Sequence, residues 1–163
     1  MSSKAVVVNS SPLITLFNSQ LIGLLPQLFE TIQVPPAVCQ EVTAHKVDVA
    51  AQSLPESAWA TRTDTVSIHP SVAAWDLGAG ETEVLSYASL HPEYIAMVDD
   101  AAARRCAISL NISTLGTAGL VVLAKRRGLI TSIDEPIQAL RNVGLWLGED
   151  LIQLLKRQAG EYS

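Results

Sequence analysis

Short apolar runs alternate with helix-forming segments along most of the chain. The runs are typical of β-strands and stop at residues that break strands or begin helices, such as Asn9, Pro35 and Gly116. We expect strands at residues 5–8, 32–34, 66–68, 94–98 and 112–115. Strands that alternate with helices over short connections form parallel sheets covered by helices on both faces. The alternation therefore predicts an α/β fold with a central parallel sheet of four to five strands flanked by helices.

The segments between the runs carry apolar residues at helical spacing. This pattern extends from Leu13 to Leu28 with a break near residues 18–20, and Pro36 opens a helix that carries Glu41. Further helices are expected at 81–90, 101–110 and 120–127, with residues 116–117 as a turn, Gly128 as a C-terminal cap, and two more helices within 136–158. Residues 48–74 are harder to assign, because they mix a short helical pattern, a loop around Pro55 and the run at 66–68.

Length and hydropathy predict one domain over residues 1–163. The 163 residues are 48% hydrophobic, with a mean hydropathy of +0.28, which suits one core. No window contains the roughly 18 apolar residues of a membrane span, so we expect no membrane contact. The apolar excess then belongs to the core or to a subunit interface, and we expect a homo-oligomer. Because the apolar run after Lys4 is too short for a signal peptide, we expect a cytoplasmic protein.

Charge and cysteine usage exclude several classes of function. A net charge of −5 and a pI near 5.1 argue against binding of nucleic acid by bulk charge, so any such contact must be local. Cys39 and Cys106 have no metal-binding or redox spacing and are expected to be free thiols. The sequence also lacks the glycine-rich motifs that cradle nucleotides, and its three histidines stand in no catalytic motif. A small-molecule binder on a nucleotide-binding sheet is therefore a weak alternative.

Acidic and amide side chains follow the predicted strands. Ligands of open α/β sheets bind where strands end and helices begin. Carboxylates that meet at such an edge repel one another unless a cation neutralises them, and Mg²⁺ or Mn²⁺ prefers oxygen ligands. A cation there would support water activation and charge stabilisation on a phosphodiester. The sequence thus predicts an oxygen-lined Mg²⁺ or Mn²⁺ site, for which the candidates are Asn9, Glu41, Glu81, Glu83, Asp99 and Asp100.

Each candidate also has a purely structural interpretation. Glu41 could lie on the solvated face of a helix, and Glu81 could be a first-turn carboxylate favoured by the helix dipole. One of Asp99 and Asp100 would cap the helix that begins at Ala101, which leaves the other without a structural task. Taken together and in this order, the residues favour the site.

Five segments of the chain resemble the PIN domain family, and within it a branch similar to the VapC toxins of toxin–antitoxin pairs. No single segment is diagnostic, but their order and spacing are fairly specific, and together they cover most of the chain. The segments are VVVNSSPLI at 6–14, VPPAVCQEV at 34–42, LGAGETEVL at 77–85, VDDAAAR at 98–104, and LGTAGL at 115–120 with the following Ala124, Lys125 and Gly128.

The resemblance implies a PIN-like three-layer fold and a Mg²⁺- or Mn²⁺-dependent nuclease that acts on RNA. By position, Glu41, Glu81 and Asp100 would be the catalytic and metal-binding carboxylates, with Asp99 and Glu83 as weaker candidates. The family pattern has an aspartate where this chain has Asn9. An amide oxygen can bind a cation but adds no negative charge and accepts no proton from water, so metal affinity and base strength should fall.

Three further residues are candidates for substrate contact. The guanidinium of Arg104 can bind phosphate through two parallel hydrogen bonds. Thr117 and Ser10 offer hydroxyl groups, although a turn residue and a helix cap are the alternative roles for them.

Two functions of different classes follow. The first is an active or weakened ribonuclease of the toxin–antitoxin type. The second is a catalytically inactive PIN-like module that binds RNA or a protein, such as an antitoxin, in which Asn9 marks the lost chemistry.

Overall fold

Five parallel strands form the central sheet of the protein. The computed structural model describes residues 4–161. The strands are β1 (Ala5–Val8), β2 (Thr31–Val34), β3 (Ala60–Arg62), β4 (Tyr94–Met97) and β5 (Thr114–Leu115), in the spatial order β3-β2-β1-β4-β5. Every pair is parallel, with Ala5 opposite both Thr31 and Tyr94. The predicted α/β fold with a parallel sheet flanked by helices is confirmed.

Helices connect the strands and cover both faces of the sheet. They are α1 (Ser10–Asn18), α2 (Leu24–Leu28), α3 (Pro36–Thr43), α4 (Val49–Ser53), α5 (Pro70–Ala73), α6 (Ala79–Leu90), α7 (Ala101–Ser109), α8 (Thr117–Arg126), α9 (Asp134–Asn142) and α10 (Glu149–Gln158), with a 3₁₀ turn at Leu54–Glu56. The predicted break after the first helix and the predicted division of the C-terminal segment are both present. Gly128 follows α8 with a φ of +76°, which suits the C-terminal cap expected there.

The strand β1 lies at the centre of the sheet. Val6, Val7 and Val8 are fully buried, because helices cover both faces and neighbouring strands pair with both edges. A strand buried on both faces has no polar alternation to display. The continuous valine run is therefore the sequence signature of this central position.

The strand predicted at residues 66–68 was wrong. The third strand is Ala60–Arg62, and residues 63–68 form no strand although Val66 is buried. One further ladder-like hydrogen bond, from Thr63 N–H to the Val34 carbonyl, ends the pairing with β2. β-Branched residues that bury a side chain from a loop gave the same local pattern as a strand. Helix α8 also begins at Thr117, so the turn predicted at residues 116–117 is instead the start of a helix.

The buried side chains form two clusters. The larger one surrounds the sheet and includes Val7, Leu13, Leu85 and Met97. The smaller one joins α8, α9 and α10. Cys39 and Cys106 are both free thiols, as predicted. Within residues 4–161, no helix is long and apolar enough to cross a membrane.

Glu161 links the end of the described chain to this smaller cluster through hydrogen bonds. Its carboxylate accepts hydrogen bonds from Ser132 Oγ at 2.8 Å, from the Ile133 N–H at 2.8 Å and from Lys125 Nζ at 3.4 Å. Burial alone would raise the pKa of Glu161, but these three donors outweigh it and lower the pKa below its ordinary value of 4.5. The ionised carboxylate therefore stabilises the packing of the C-terminal helices.

We expect Glu161→Ala to lower the free energy of unfolding by about 1–3 kcal/mol at neutral pH, because buried donors lose a charged acceptor. A lowered folded-state pKa gives stability that is present above pH 4.5 and is lost as the pH falls through the folded-state pKa. The difference in the free energy of unfolding between the variant and the wild type should therefore decrease in acid. Urea unfolding across this pH range measures it.

Glu30→Ala is the matched control. Glu30 pairs with Lys4 at 3.4 Å, but 73% of its side chain is exposed, so the change should be within about 0.5 kcal/mol. Equal losses in the two variants would contradict the role assigned to Glu161.

Candidate functional site

The carboxyl end of β1 places Asn9 at the middle of the sheet edge. Its backbone N–H donates to the Met97 carbonyl at 3.1 Å, which joins the end of β1 to the end of β4. The residue is only 3% exposed, and its side-chain oxygen Oδ1 has no hydrogen-bond partner among residues 4–161. An unsatisfied buried acceptor costs about 1–3 kcal/mol. Asn9 Oδ1 is thus a group ready to bind a cation or a donor.

Glu41 lies beside Asn9 and is held by two donors. Ser10 Oγ donates to Glu41 Oε2 at 2.6 Å, and the Gly80 N–H donates to Glu41 Oε1 at 2.9 Å. The first donor comes from the start of α1 and the second from the first turn of α6. Glu41 is exposed at the surface, but these two donors orient its carboxylate toward the sheet edge.

Gly80 makes room for this pair of oxygens. A methyl group at Gly80 would lie 2.7 Å from Glu41 Oε1 and 2.8 Å from Asn9 Oδ1. Both oxygens therefore face the same point above the Gly80 backbone. The sequence analysis did not identify Gly80, although its place directly before Glu81 in the GExE segment was a signal.

Asp99 occupies the other half of the edge. Its Oδ1 accepts the Thr117 N–H at 2.8 Å and its Oδ2 accepts the Thr117 hydroxyl at 2.6 Å. Thr117 is fully buried, so its hydroxyl supports Asp99 from within the fold. Arg104 donates from Nε to the Val98 carbonyl at 3.3 Å, and its guanidinium lies over Gly116 on the same side as Asp99 Oδ1.

Two of the three remaining acidic candidates accept hydrogen bonds from backbone groups outside the pair of Asn9 and Glu41. Glu83 Oε1 accepts the Ala37 N–H at 2.9 Å, in the first turn of α3. Asp100 Oδ2 accepts the Ala103 N–H at 2.9 Å and so caps α7. The carboxylate of Glu81 bends back over Gly78 at the start of α6. The predicted acidic residues thus share one edge of the fold, but Asn9 and Glu41 form one part of it and Asp99 another.

The cysteine near this region is not a nucleophile. Burial is the largest influence on Cys39 and raises the pKa of its thiol, and burial likewise raises the pKa of Cys106. Both thiols are therefore protonated at neutral pH, and catalysis by cysteine finds no support.

A family model described as a PIN domain matches residues 5–161. The chain belongs to the PIN domain family. No curated protein shows a significant match to it. PIN domains are nuclease-like modules that act on RNA and generally use divalent metal ions.

The PIN pocket of this chain offers few direct ligands to a divalent ion. Within residues 4–161, no three His, Cys, Asp or Glu side chains are grouped closely enough to hold a metal. Asn9 Oδ1 is nevertheless buried, unpartnered and next to the Glu41 carboxylate. Mg²⁺ commonly binds through one or two carboxylates and keeps several waters. The amide of Asn9 and the carboxylate of Glu41 fit an ion that is bound in this way.

Asp99 and Asp100 should differ in their effects on stability. Asp100→Ala removes a helix cap, which costs about 1 kcal/mol. Asp99→Ala leaves two donors of buried Thr117 without an acceptor, which should cost about 2–4 kcal/mol. Urea unfolding of the two variants checks the order. Asp100→Ser is the control, because serine is also a good cap, and an equal cost for Asp99→Ala and Asp100→Ala would refute the assignment.

We expect Gly80→Ala to abolish stabilisation of this PIN domain by Mn²⁺ while leaving it folded. The new methyl group would displace the oxygens of Asn9 and Glu41, whereas the helix itself tolerates alanine. Thermal unfolding with and without Mn²⁺ measures the effect, because an ion that binds only the folded state raises Tm. In the control Gly23→Ala, the nearest atom to the methyl group is the mobile amide of Gln27 at 3.9 Å. A Mn²⁺ shift in Gly80→Ala as large as in wild type would contradict this geometry.

Proposed function

We propose that the protein is a Mg²⁺- or Mn²⁺-dependent endoribonuclease of the toxin–antitoxin type whose activity is weakened by Asn9. The observation that carries the proposal is the buried, unpartnered Asn9 Oδ1 beside the oriented carboxylate of Glu41. A buried acceptor without a donor is favourable only when something binds it. Membership of the PIN family supports a divalent ion as that ligand.

The residues at the carboxyl edge of the sheet have different proposed roles in catalysis. Asn9 Oδ1 and Glu41 Oε1 would hold the ion, and Ser10 Oγ would keep the Glu41 carboxylate in position. When bound, the ion supplies positive charge to a phosphodiester and lowers the pKa of water. Glu81, next to Gly80 at the start of α6, is the carboxylate that we propose as the proton acceptor.

Asp99 and Asp100 have different proposed roles. Both oxygens of Asp99 accept hydrogen bonds from Thr117, which fixes the position of the carboxylate, and its negative charge would contribute to the metal pocket. Asp100 would act through the cap of α7, which fixes the start of the helix that carries Arg104. Thr117 would then be a positioning residue for Asp99, and Arg104 the contact for a phosphate of the substrate.

The toxin–antitoxin assignment rests on the five segments similar to VapC-type toxins. It implies an antitoxin protein as a partner. The high apolar content of the sequence supports a surface that binds a partner or a second copy.

The second candidate function is an inactive PIN-like module that binds RNA or a protein. The observation that favours it is the neutral amide at position 9, together with the commitment of Glu83 and Asp100 to helix N-termini. In such a module the pocket would remain folded but would hold a divalent ion too weakly for catalysis.

Asn9→Asp separates the two functions. A second carboxylate beside Glu41 would repel the first unless a cation neutralises them, so the variant should be less stable than wild type without metal and gain more from Mn²⁺. If the wild type is a weakened ribonuclease, Asn9→Asp should cleave mixed RNA at least about tenfold faster, because it restores a charged ligand. Cleavage of labelled RNA with Mn²⁺ and Mg²⁺ measures this.

Glu41→Gln in the same assay should abolish cleavage, and Glu30→Gln, on the exposed surface, should not alter it. Cleavage that survives Glu41→Gln would refute the proposed site. Cleavage that occurs only in Asn9→Asp would instead support the inactive module.

A further inference from the structure

An open cavity connects Asp99 to the C-terminal helices. It has a volume of about 350 Å³, and its lining includes Asp99 and Arg104 together with Trp146 and leucines of α10. The proposed catalytic residues do not account for the tryptophan and leucine part of this lining. A cavity of this size is large enough for one nucleobase with its ribose.

Trp146 is an exposed residue next to a buried one. It is 84% exposed, whereas its neighbour Leu147 is 5% exposed and anchors the segment in the smaller cluster. The ring of Trp146 approaches Gly148, where an added methyl group would come within 3.1 Å of Cη2. The indole therefore lies near the backbone of Gly148 and is otherwise open to solvent. An aromatic ring presented in this way can stack with a flat ligand.

The charge of the protein narrows what this ligand can be. With a net charge of −5, the protein gains little from long-range attraction to RNA. Affinity for RNA must then come from local contacts, and stacking of a base on an aromatic ring is a contact that is indifferent to net charge. Exposed Arg104, which lines the same cavity, is complementary to a phosphate.

We propose that Trp146 and Arg104 form a subsite for one nucleotide of single-stranded RNA, in which the base stacks on the indole and the adjoining phosphate binds the guanidinium. This inference deepens the proposed ribonuclease function and rests on it for the choice of RNA. A base in a duplex is already stacked on its neighbours and cannot reach the indole. The subsite therefore selects unpaired RNA and directs the neighbouring phosphate toward Asp99.

Trp146→Ala should weaken binding of a fluorescein-labelled, unstructured RNA of about twelve nucleotides by roughly 5- to 100-fold. Binding is measured by fluorescence anisotropy in EDTA, so that hydrolysis does not alter the probe. Trp146→Phe should retain most of the affinity, because phenylalanine also stacks. Gly148→Ala adds a methyl group that would contact the Trp146 ring and shift it, so it should weaken RNA binding by less than Trp146→Ala does.

The salt dependence of binding tests the two halves of the subsite separately. Arg104→Ala should lower the slope of log Kd against log salt by about 0.7, the value for one phosphate contact in a single strand. Trp146→Ala should weaken binding without changing this slope, which a general loss of structure would not do. Leu90→Ala is the control. Leu90 is 54% exposed at the C-terminal end of α6, and its substitution should change neither the RNA affinity nor the salt slope.

Several results would overturn the subsite. The first is equal RNA affinity in Trp146→Ala and wild type, and the second is an equal loss of affinity for duplex and single-stranded RNA in Trp146→Ala. The third is a change in the oligomeric state of Trp146→Ala at unchanged RNA affinity, which would make this surface a protein interface. Failure of the subsite can be distinguished from failure of the proposed ribonuclease function. RNA binding that depends on Trp146 without any cleavage would support the subsite and not the nuclease, whereas cleavage indifferent to Trp146→Ala would do the reverse.

Discussion

The pairing of β1 with strands on both of its edges determines where everything else in this protein lies. Its three buried valines occupy the middle of the sheet, and the chain leaves the sheet at Asn9, whose N–H still bonds to the end of β4. This hydrogen bond fixes the backbone of Asn9 at the centre of the carboxyl edge. The side chain then has no freedom to reach solvent, and the starts of α1 and α6 meet around it.

Helix N-termini explain how four carboxylates can share one edge of the fold. Glu41 accepts an N–H from the first turn of α6, Glu83 from α3, Asp100 from α7 and Asp99 from α8. Each negative charge therefore faces the positive end of a helix dipole and a free backbone donor. The parallel fold brings these helix starts to the same edge, and each carboxylate binds to a different helix start. The backbone donors and helix dipoles therefore offset much of the repulsion between the carboxylates.

Much of the fold could be predicted from the sequence, because apolar runs of β-branched residues between capped helices have few alternative arrangements. The error at residues 66–68 arose because burial of Val66 from a loop leaves the same local pattern as a strand. The candidate site was predicted in its members but not in their pairing. Nothing local distinguishes Asp99 from Asp100, since either can cap α7, and the choice is made by Thr117, eighteen residues away in sequence. The role of Gly80 likewise depends on side chains from α3 and from the end of β1.

The amide at position 9 is best understood against these helix N-termini. The carboxylates of Glu41, Glu83, Asp99 and Asp100 each accept a backbone N–H, but Asn9 Oδ1 has no donor among residues 4–161. An aspartate at this position would be a buried charge next to Glu41. Asn9 directly precedes the first turn of α1, but its side chain makes no capping hydrogen bond there, so the charge would have no backbone donor and would gain stability from a bound cation. Asparagine carries the same oxygen without the charge, so an empty pocket costs less free energy than it would with an aspartate. An asparagine at position 9 would therefore make folding depend less on a metal than an aspartate would, and for the same reason it would bind a metal more weakly.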